Sequence, residues 1–165
     1  MGANSPAPSP SPDGGRSDLS VRERSLSDAR IRKIYDYWLK KCSGGALPAR
    51  RDIDPVDVYD CLSMLMILDV VDDGRDFRIR LAGSEVEDAH DRPLKGVMVS
   101  DMGQGPEMTA LLDRFRSVVT SREPDFRSST LALVGRAFIE FDRVALPLAE
   151  DGKTVSHLLC CYAQK

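Results

Sequence analysis

The chain has 165 residues, of which 42% are hydrophobic and 30% charged, a composition typical of one globular domain and unlike that of a wholly disordered chain. Its formal net charge of -3 argues against a protein that holds nucleic acid mainly by attracting phosphates. The sequence contains neither a run of about 20 apolar residues nor a recognisable signal sequence. We therefore expect a cytoplasmic protein that contacts neither nucleic acid nor a membrane.

The first 25 residues are rich in serine and proline and contain no aromatic residue. Such a segment buries too little apolar surface to offset the entropy lost on ordering, so it predicts a disordered tail before one domain at residues 26–165. A helix begins close to this boundary, where Ser25 and Ser27 are both candidate N-cap residues. Its apolar residues recur every three or four positions, as on one helical face: Ile31, Ile34, Tyr35, Trp38 and Leu39.

Two segments after this helix are typical of paired strands. Residues 64–71 form a nearly continuous apolar run, and apolar residues alternate with arginines over residues 77–81. The alternation predicts that Leu81 faces the core and that Arg78 and Arg80 share the other face. Two arginines on one strand face are candidates for an anion contact, or they form the solvent side of the strand.

A longer helix is predicted to begin at Gly105-Pro106, and three extended segments follow it, at about residues 125–134, 137–149 and 153–163. A hairpin, a helical insertion and a three-strand meander in this order favour an antiparallel sheet with helices on one side. The predicted fold class is therefore α+β.

No motif points to a catalytic or metal site. The sequence lacks a dinucleotide-binding glycine pattern, a P-loop, a nucleophile elbow and a zinc-protease pattern. The cysteines have no CxxC spacing, and the adjacent Cys160 and Cys161 would point to opposite faces of a strand. His90 in a polar stretch and His157 in the last strand are each more simply explained as structural residues. The sequence predicts no metal and no catalytic residue.

Seven short motifs, by their order and spacing, resemble the PAS domain family, and in particular short bacterial PAS proteins without an attached effector domain. They are Tyr37-Trp38-Leu39, Leu47-Pro48-Ala49-Arg50, Asp52-Ile53-Asp54-Pro55, Leu68-Asp69-Val70, Phe77 to Gly83, Leu94-Lys95-Gly96 and Leu146-Pro147-Leu148. The resemblance implies a five-stranded antiparallel sheet of order 2-1-5-4-3, helices over one face and an N-terminal amphipathic helix. Asp91 stands where the family usually has a turn glycine, but aspartate tolerates left-handed geometry.

The resemblance implies no cofactor, because the Asn-Cys-Arg motif of flavin-binding members is absent and His90 matches a proximal haem ligand poorly. It implies a free-standing cytoplasmic signalling domain that is not an enzyme and binds an unidentified partner protein, with or without a small apolar ligand. Candidates for lining a cavity between sheet and helices are Met66, Leu81, Val86, Met98, Met102, Leu112, Phe115 and Phe141. A small α+β pocket enzyme with isomerase-like or hydrolase-like chemistry is the competing hypothesis, and its only candidates are His157 and Glu140. A ligand-free structural interaction module is the third.

The N-terminal helix also leads us to expect a homodimer. Its apolar face is wide, and PAS relatives commonly pack this helix against a second subunit in a self-complementary contact. In the alternative, the helix folds back on its own sheet and the protein is a monomer.

Overall fold

The computed structural model describes residues 21–165. The first 20 residues of the predicted tail lie outside the described residues. Residues 21–25, which composition assigns to the tail, are helical, and Arg22 donates a 2.8 Å hydrogen bond to the Tyr35 hydroxyl. This helical segment therefore contacts the predicted domain at residues 26–165.

After that segment the described chain folds into three helices and five strands, joined by 3₁₀ turns. The helices are α1 (Ala29–Lys41), α2 (Ser84–His90) and α3 (Pro106–Ser121). The strands are β1 (Leu65–Val71), β2 (Asp76–Ala82), β3 (Asp125–Leu131), β4 (Arg136–Leu148) and β5 (His157–Gln164). The 3₁₀ turns are Arg50–Asp52, Tyr59–Met64, Asp72–Gly74, Val99–Met102 and Ala132–Val134.

The strands form one antiparallel sheet of order β2-β1-β5-β4-β3, which confirms the predicted α+β class and strand order. Strict alternation fails in β2. Its pairing with β1 shifts between Ile67 and Leu68, so that Arg80 is an extra residue at a β-bulge. Arg80 and Leu81 are consequently both exposed. The expectation that Leu81 faces the core is therefore wrong.

Helix α1 begins with an acidic cap. The carboxylate of Asp28 accepts hydrogen bonds from two backbone amides of the first turn. The predicted caps are wrong: the Ser27 hydroxyl donates to the carbonyl of Arg24, and Ser25 is buried one turn earlier. An aspartate satisfies the free amides and also places negative charge at the positive end of the helix dipole.

The apolar face of α1 packs on its own sheet. Ile31 and Ile34 are fully buried, and Trp38 donates a 2.9 Å hydrogen bond from its Nε1 to a backbone carbonyl of β4. These three predicted dimer contacts are therefore occupied within the chain, as in the folded-back alternative. Of the other two, Leu39 is exposed and Tyr35 is half-buried.

Helix α3 lies on the opposite face of the sheet from α1. The neighbours Arg143 and Val144 in β4 point to opposite faces because side chains alternate along a strand. Val144 pairs with Phe126 of β3, whose ring lies 5.5 Å from Tyr35 of α1. The Arg143 guanidinium instead lies 4.7 Å from the ring centre of Phe115 in α3. The sheet is thus covered on both faces.

Two turns near the PAS-like motifs depend on a particular residue, one for its backbone geometry and one for the space around it. Asp91 adopts the left-handed conformation with φ 54°, as predicted for an aspartate in place of glycine. A Cβ atom on Gly83 would lie 2.2 Å from the carbonyl oxygen of Leu62, so only glycine fits between β2 and α2.

No helix within residues 21–165 is long and apolar enough to cross a membrane. The same part of the chain holds no group of three or more histidine, cysteine or acidic side chains placed to bind a metal ion. The four cysteines are free, and burial raises the pKa of the Cys160 thiol to about 12, which keeps that thiol protonated.

Candidate functional site

A cavity of about 260 Å³ lies between α3 and the sheet, and we call it the α3 cavity. It is a partly apolar chamber, in keeping with small-molecule sites, and falls just below their usual volume range of roughly 300–1,000 Å³. Its main apolar lining residues are Met66, Met102, Leu111, Phe115, Leu131 and Phe141.

Polar residues enter the α3 cavity from three neighbouring strands. Arg127 of β3 pairs with Arg143 of β4, and Arg143 pairs in turn with Tyr162 of β5. Directly opposed residues project from the same face, so the three side chains form a row across the floor of the cavity. Arg114 of α3 also lines the cavity, from the helix above this row. Three arginines therefore converge on one chamber.

One carboxylate holds two of these arginines. Asp125 accepts a 2.7 Å hydrogen bond from Nη2 of Arg143 and lies 3.3 Å from Nη2 of Arg114. The Arg143 side chain is 2% exposed, and its guanidinium also lies over the Phe115 ring. Its Nε atom, however, is buried without a hydrogen-bond partner. Arg143 is a buried cation that Asp125 satisfies only in part.

The titratable groups between the arginines and the apolar wall are neutral. Burial lowers the pKa of His90, and the nearby Arg92 and Arg136 lower it further. The Nδ1 atom of His90 lies 2.7 Å from the Val86 carbonyl oxygen, which fits a neutral ring that donates from Nδ1. Burial raises the pKa of Tyr162, so its phenol keeps its proton. Neither group supplies a negative charge to the cavity.

The structure brings together half of the eight predicted pocket residues. Met66, Met102, Phe115 and Phe141 line the α3 cavity. Val86 lines a smaller neighbouring pocket of about 20 Å³ that shares His90 and Phe141 with the larger one.

The remaining three predicted pocket residues lie outside both pockets. Leu81 is exposed beyond the β2 bulge, as described above. Met98 and Leu112 are half-buried and line neither pocket. Met98 instead forms an isolated backbone bridge with Arg78 at the edge of the sheet.

The predicted anion contact at Arg78 and Arg80 is not part of the cavity. Arg80 donates a 2.6 Å hydrogen bond from Nε to Asp69, which neutralises it, and Arg78 is exposed on the edge strand. These two arginines form the solvent side of β2, which was the structural alternative for them.

The two candidates for an enzyme also lie away from the cavity. His157 contacts Asp69 at 3.3 Å and Glu150 at 3.6 Å, and it points to the α1 side of β5. Glu140 is exposed on β4. The α3 cavity therefore contains neither residue on which the enzyme hypothesis rests.

Sequence reasoning missed the arginines of the cavity and the carboxylate beside them. A signal was present: Arg143 stands two residues from Phe141 and two from Ala145, so strand alternation places a charge on a buried face. The pairing of Arg143 with Arg127 depends on the register of two strands, and the approach of Arg114 depends on helix packing. Neither can be obtained from one sequence.

A solved structure and a family model are similar to this chain. The crystal structure of a sensory box sensor histidine kinase from Vibrio cholerae is similar, with a TM-score of 0.41 and 16% sequence identity. The match covers 67% of this chain and 87% of that chain. A search of curated proteins gives no match. The family model for the PAS domain matches residues 26–163, nearly the whole described domain, and the chain belongs to the PAS domain family.

Proposed function

We propose that this protein is a bacterial, cytoplasmic sensory domain that binds a small molecule in the α3 cavity and passes the bound state to a partner protein. The observation that carries the proposal is the α3 cavity itself, about 260 Å³ of unfilled space inside a domain of the PAS family. Protein interiors are normally packed to the density of organic crystals, so a chamber of this size is a default candidate for a binding site.

Strand β4 is the structural link between the cavity and the rest of the domain. Arg143 points from β4 into the cavity, and Val144 points to the side of α1. The carbonyl of Pro147, four residues after Arg143 in β4, accepts the hydrogen bond from Trp38. A ligand that favours one position of β4 would therefore also favour one position of α1, and the populations of the two arrangements would shift.

A partner is expected to contact the exposed side of α1 and the 3₁₀ turn beside it. Lys33 of α1 forms a 2.5 Å ion pair with Asp60 and lies over the ring of Tyr59, which fixes the turn next to the helix. Tyr59 and Val56 are largely exposed there, at 73% and 76%. Apolar side chains on one surface are typical of interaction sites.

Homodimerisation stays a prediction, and we assign it to this surface because Ile31, Ile34 and Trp38 are buried within the chain. We expect the wild type to sediment as a dimer at a protein concentration on the order of tens of micromolar. A Tyr59→Ser, Val56→Ser double variant should then sediment as a folded monomer. A wild type that is monomeric at that concentration would contradict the prediction.

Ligand binding is tested by native mass spectrometry of the purified protein and by thermal shift against a metabolite collection. A ligand that binds the folded state raises the melting temperature by mass action. The Ser129→Phe variant places a ring in the cavity and should abolish every such shift. Ser117→Phe is the matched control, since Ser117 is exposed on α3.

The two variants separate binding in the cavity from binding elsewhere. Shifts that are lost in Ser129→Phe and kept in Ser117→Phe support the proposal. Shifts that persist in both variants place the ligand elsewhere, and the absence of any co-purified or stabilising molecule favours the ligand-free interaction module.

A further inference from the structure

Two like charges lie at directly opposed positions in the α3 cavity, with Arg143 buried at its floor and Arg127 exposed at its edge. Arg127 and Arg143 are cross-strand partners in the β3–β4 ladder and both line the cavity. Like charges placed directly opposite each other destabilise a sheet. Partial burial and the positive charges of Arg114 and Arg143 lower the pKa of Arg127. Water reaches the exposed Arg127, but the buried charge of Arg143 requires negative charge close to it.

The protein supplies only part of that negative charge. Asp125 is shared between Arg143 and Arg114, and Arg127 forms no ion pair with any residue from 21 to 165. Glu107 also lines the cavity, at the exposed start of α3, but it forms no ion pair with the arginines in the described structure. Asp125 is thus the one carboxylate paired with these guanidinium groups among the described residues, and the positive charge of Arg127 is left in excess.

Two buried hydrogen-bond donors of these arginines also lack a partner. The Nε atom of Arg143 is buried without an acceptor, and so is the Nε atom of Arg114. Buried polar groups are almost always hydrogen-bonded in proteins, so each unpartnered donor requires an explanation. A ligand that carries a hydrogen-bond acceptor into the α3 cavity would lie beside these two arginine side chains.

We propose that the ligand of the α3 cavity is a small monocarboxylic acid, with its carboxylate at Arg127 and Arg143 and its hydrocarbon part against Leu131, Phe141 and Leu111. The inference rests on the proposed function and deepens it by naming the ligand class. Guanidinium groups bind carboxylates through two parallel hydrogen bonds, and a single excess positive charge matches a single negative one.

The shape and polarity of the cavity agree with this class. The carboxylate of the ligand would lie beside the arginines and beside Ser129 and Thr130 of β3, which also line the cavity. The remaining wall is mostly apolar, so the hydrocarbon part of a bound ligand would be shielded from water there. A volume of about 260 Å³ suits a short chain or one aromatic ring.

The test uses a matched set of probes that differ only in their polar end: 3-phenylpropionate, 3-phenylpropan-1-ol and 3-phenylpropylamine. Calorimetric titration should detect binding of the carboxylate. The alcohol should bind about 10- to 100-fold more weakly, the range given by one charge-assisted hydrogen-bonded contact. The amine should not bind, because its charge has the same sign as the arginines. Phenyl phosphate and inorganic phosphate are titrated in the same series.

Substitution of the arginines then locates the carboxylate. Arg127→Gln should lower the affinity for 3-phenylpropionate about tenfold or more and leave the affinity for the alcohol unchanged. Because it removes one of two opposed like charges, it should also raise the melting temperature of the ligand-free protein. Arg78→Gln is the control: Arg78 is exposed on β2, away from the cavity, and its loss should change neither quantity.

The outcomes distinguish this inference from the proposed function. Equal binding of the carboxylate and the alcohol, or no binding of the carboxylate, overturns the assigned ligand class and leaves the cavity experiment above to decide the function. Tighter binding of either phosphate compound overturns the choice of a carboxylate. Equal loss of affinity in Arg127→Gln and Arg78→Gln overturns the assigned position.

Discussion

The two faces of the same sheet are built for different purposes. The face under α1 is closed by Ile31, Ile34 and Trp38, and the indole nitrogen of Trp38 is hydrogen-bonded. The face under α3 keeps an open chamber with three arginines around one shared carboxylate. A fold that needed only stability would fill both faces with apolar side chains. This difference supports the proposal that the α3 face binds a ligand, whereas the α1 face stabilises the domain.

The largest expected effect comes from breaking the buried pair on the cavity side. Asp125→Asn leaves the charge of Arg143 uncompensated in the interior and should lower the free energy of unfolding by about 3–5 kcal/mol. Addition of Arg143→Met to that variant should recover most of the loss, because the buried charge is then gone as well. Chemical denaturation measures both changes.

An exposed pair on α3 provides the control for this experiment. Asp113 and Arg116 lie 2.9 Å apart at the surface, and Asp113→Asn should change the stability by less than about 1 kcal/mol. If Asp125→Asn were no more harmful than Asp113→Asn, the arginines would not be held as the structure indicates.

The second prediction compares packing on the two faces. Ile34→Ala removes a fully buried side chain from the closed α1 face and should cost about 2–5 kcal/mol. Leu111→Ala removes a half-buried side chain that already borders empty space, so its cost should be on the order of 1 kcal/mol. Equal losses of unfolding free energy in the two variants, measured by urea denaturation, would show that the α3 face is packed as tightly as the α1 face.

The sequence predicted the fold far better than the site. Periodicity and turn residues gave the strands and helices within a few residues, because each signal is local. The prediction for Leu81 was wrong because a bulge in the pairing of β2 with β1 turns its side chain away from the core. Bulges depend on the partner strand. Ile34 and Trp38 were recognised as an apolar face, but the sequence could not say whether this chain or a second copy covers it. Arg143 and Arg127 are sixteen residues apart in the sequence, and only register joins them.

The third prediction concerns pH and one histidine on each face. Burial lowers the pKa of His90 in the cavity, so the unfolded chain binds more protons than the folded one below about pH 6.5. The contribution of His90 to stability is therefore present at neutral pH and is lost as the pH falls. His90→Asn should flatten the decrease in melting temperature below that pH.

His157 on the α1 side is the comparison for this pH dependence. Burial also lowers the pKa of His157, but the carboxylates of Asp69 and Glu150 act in the opposite direction. His157→Asn should therefore flatten the acid decrease less than His90→Asn does. The reverse order would show that the cavity side is the better hydrated of the two.

The smallest expected effect tests whether the two faces communicate. Trp38 is the only tryptophan of the chain and is 4% exposed, so its emission should be blue-shifted and should report the α1 face alone. Its indole is hydrogen-bonded to the carbonyl of Pro147 in β4, the strand that also carries Arg143 into the cavity. Saturation with 3-phenylpropionate, which does not absorb at the excitation wavelength of tryptophan, should therefore change the intensity or position of this emission slightly. Arg127→Gln should abolish the change at the same probe concentration. Calorimetric binding with an unchanged emission would show that the signal leaves the cavity through another element than β4 and α1.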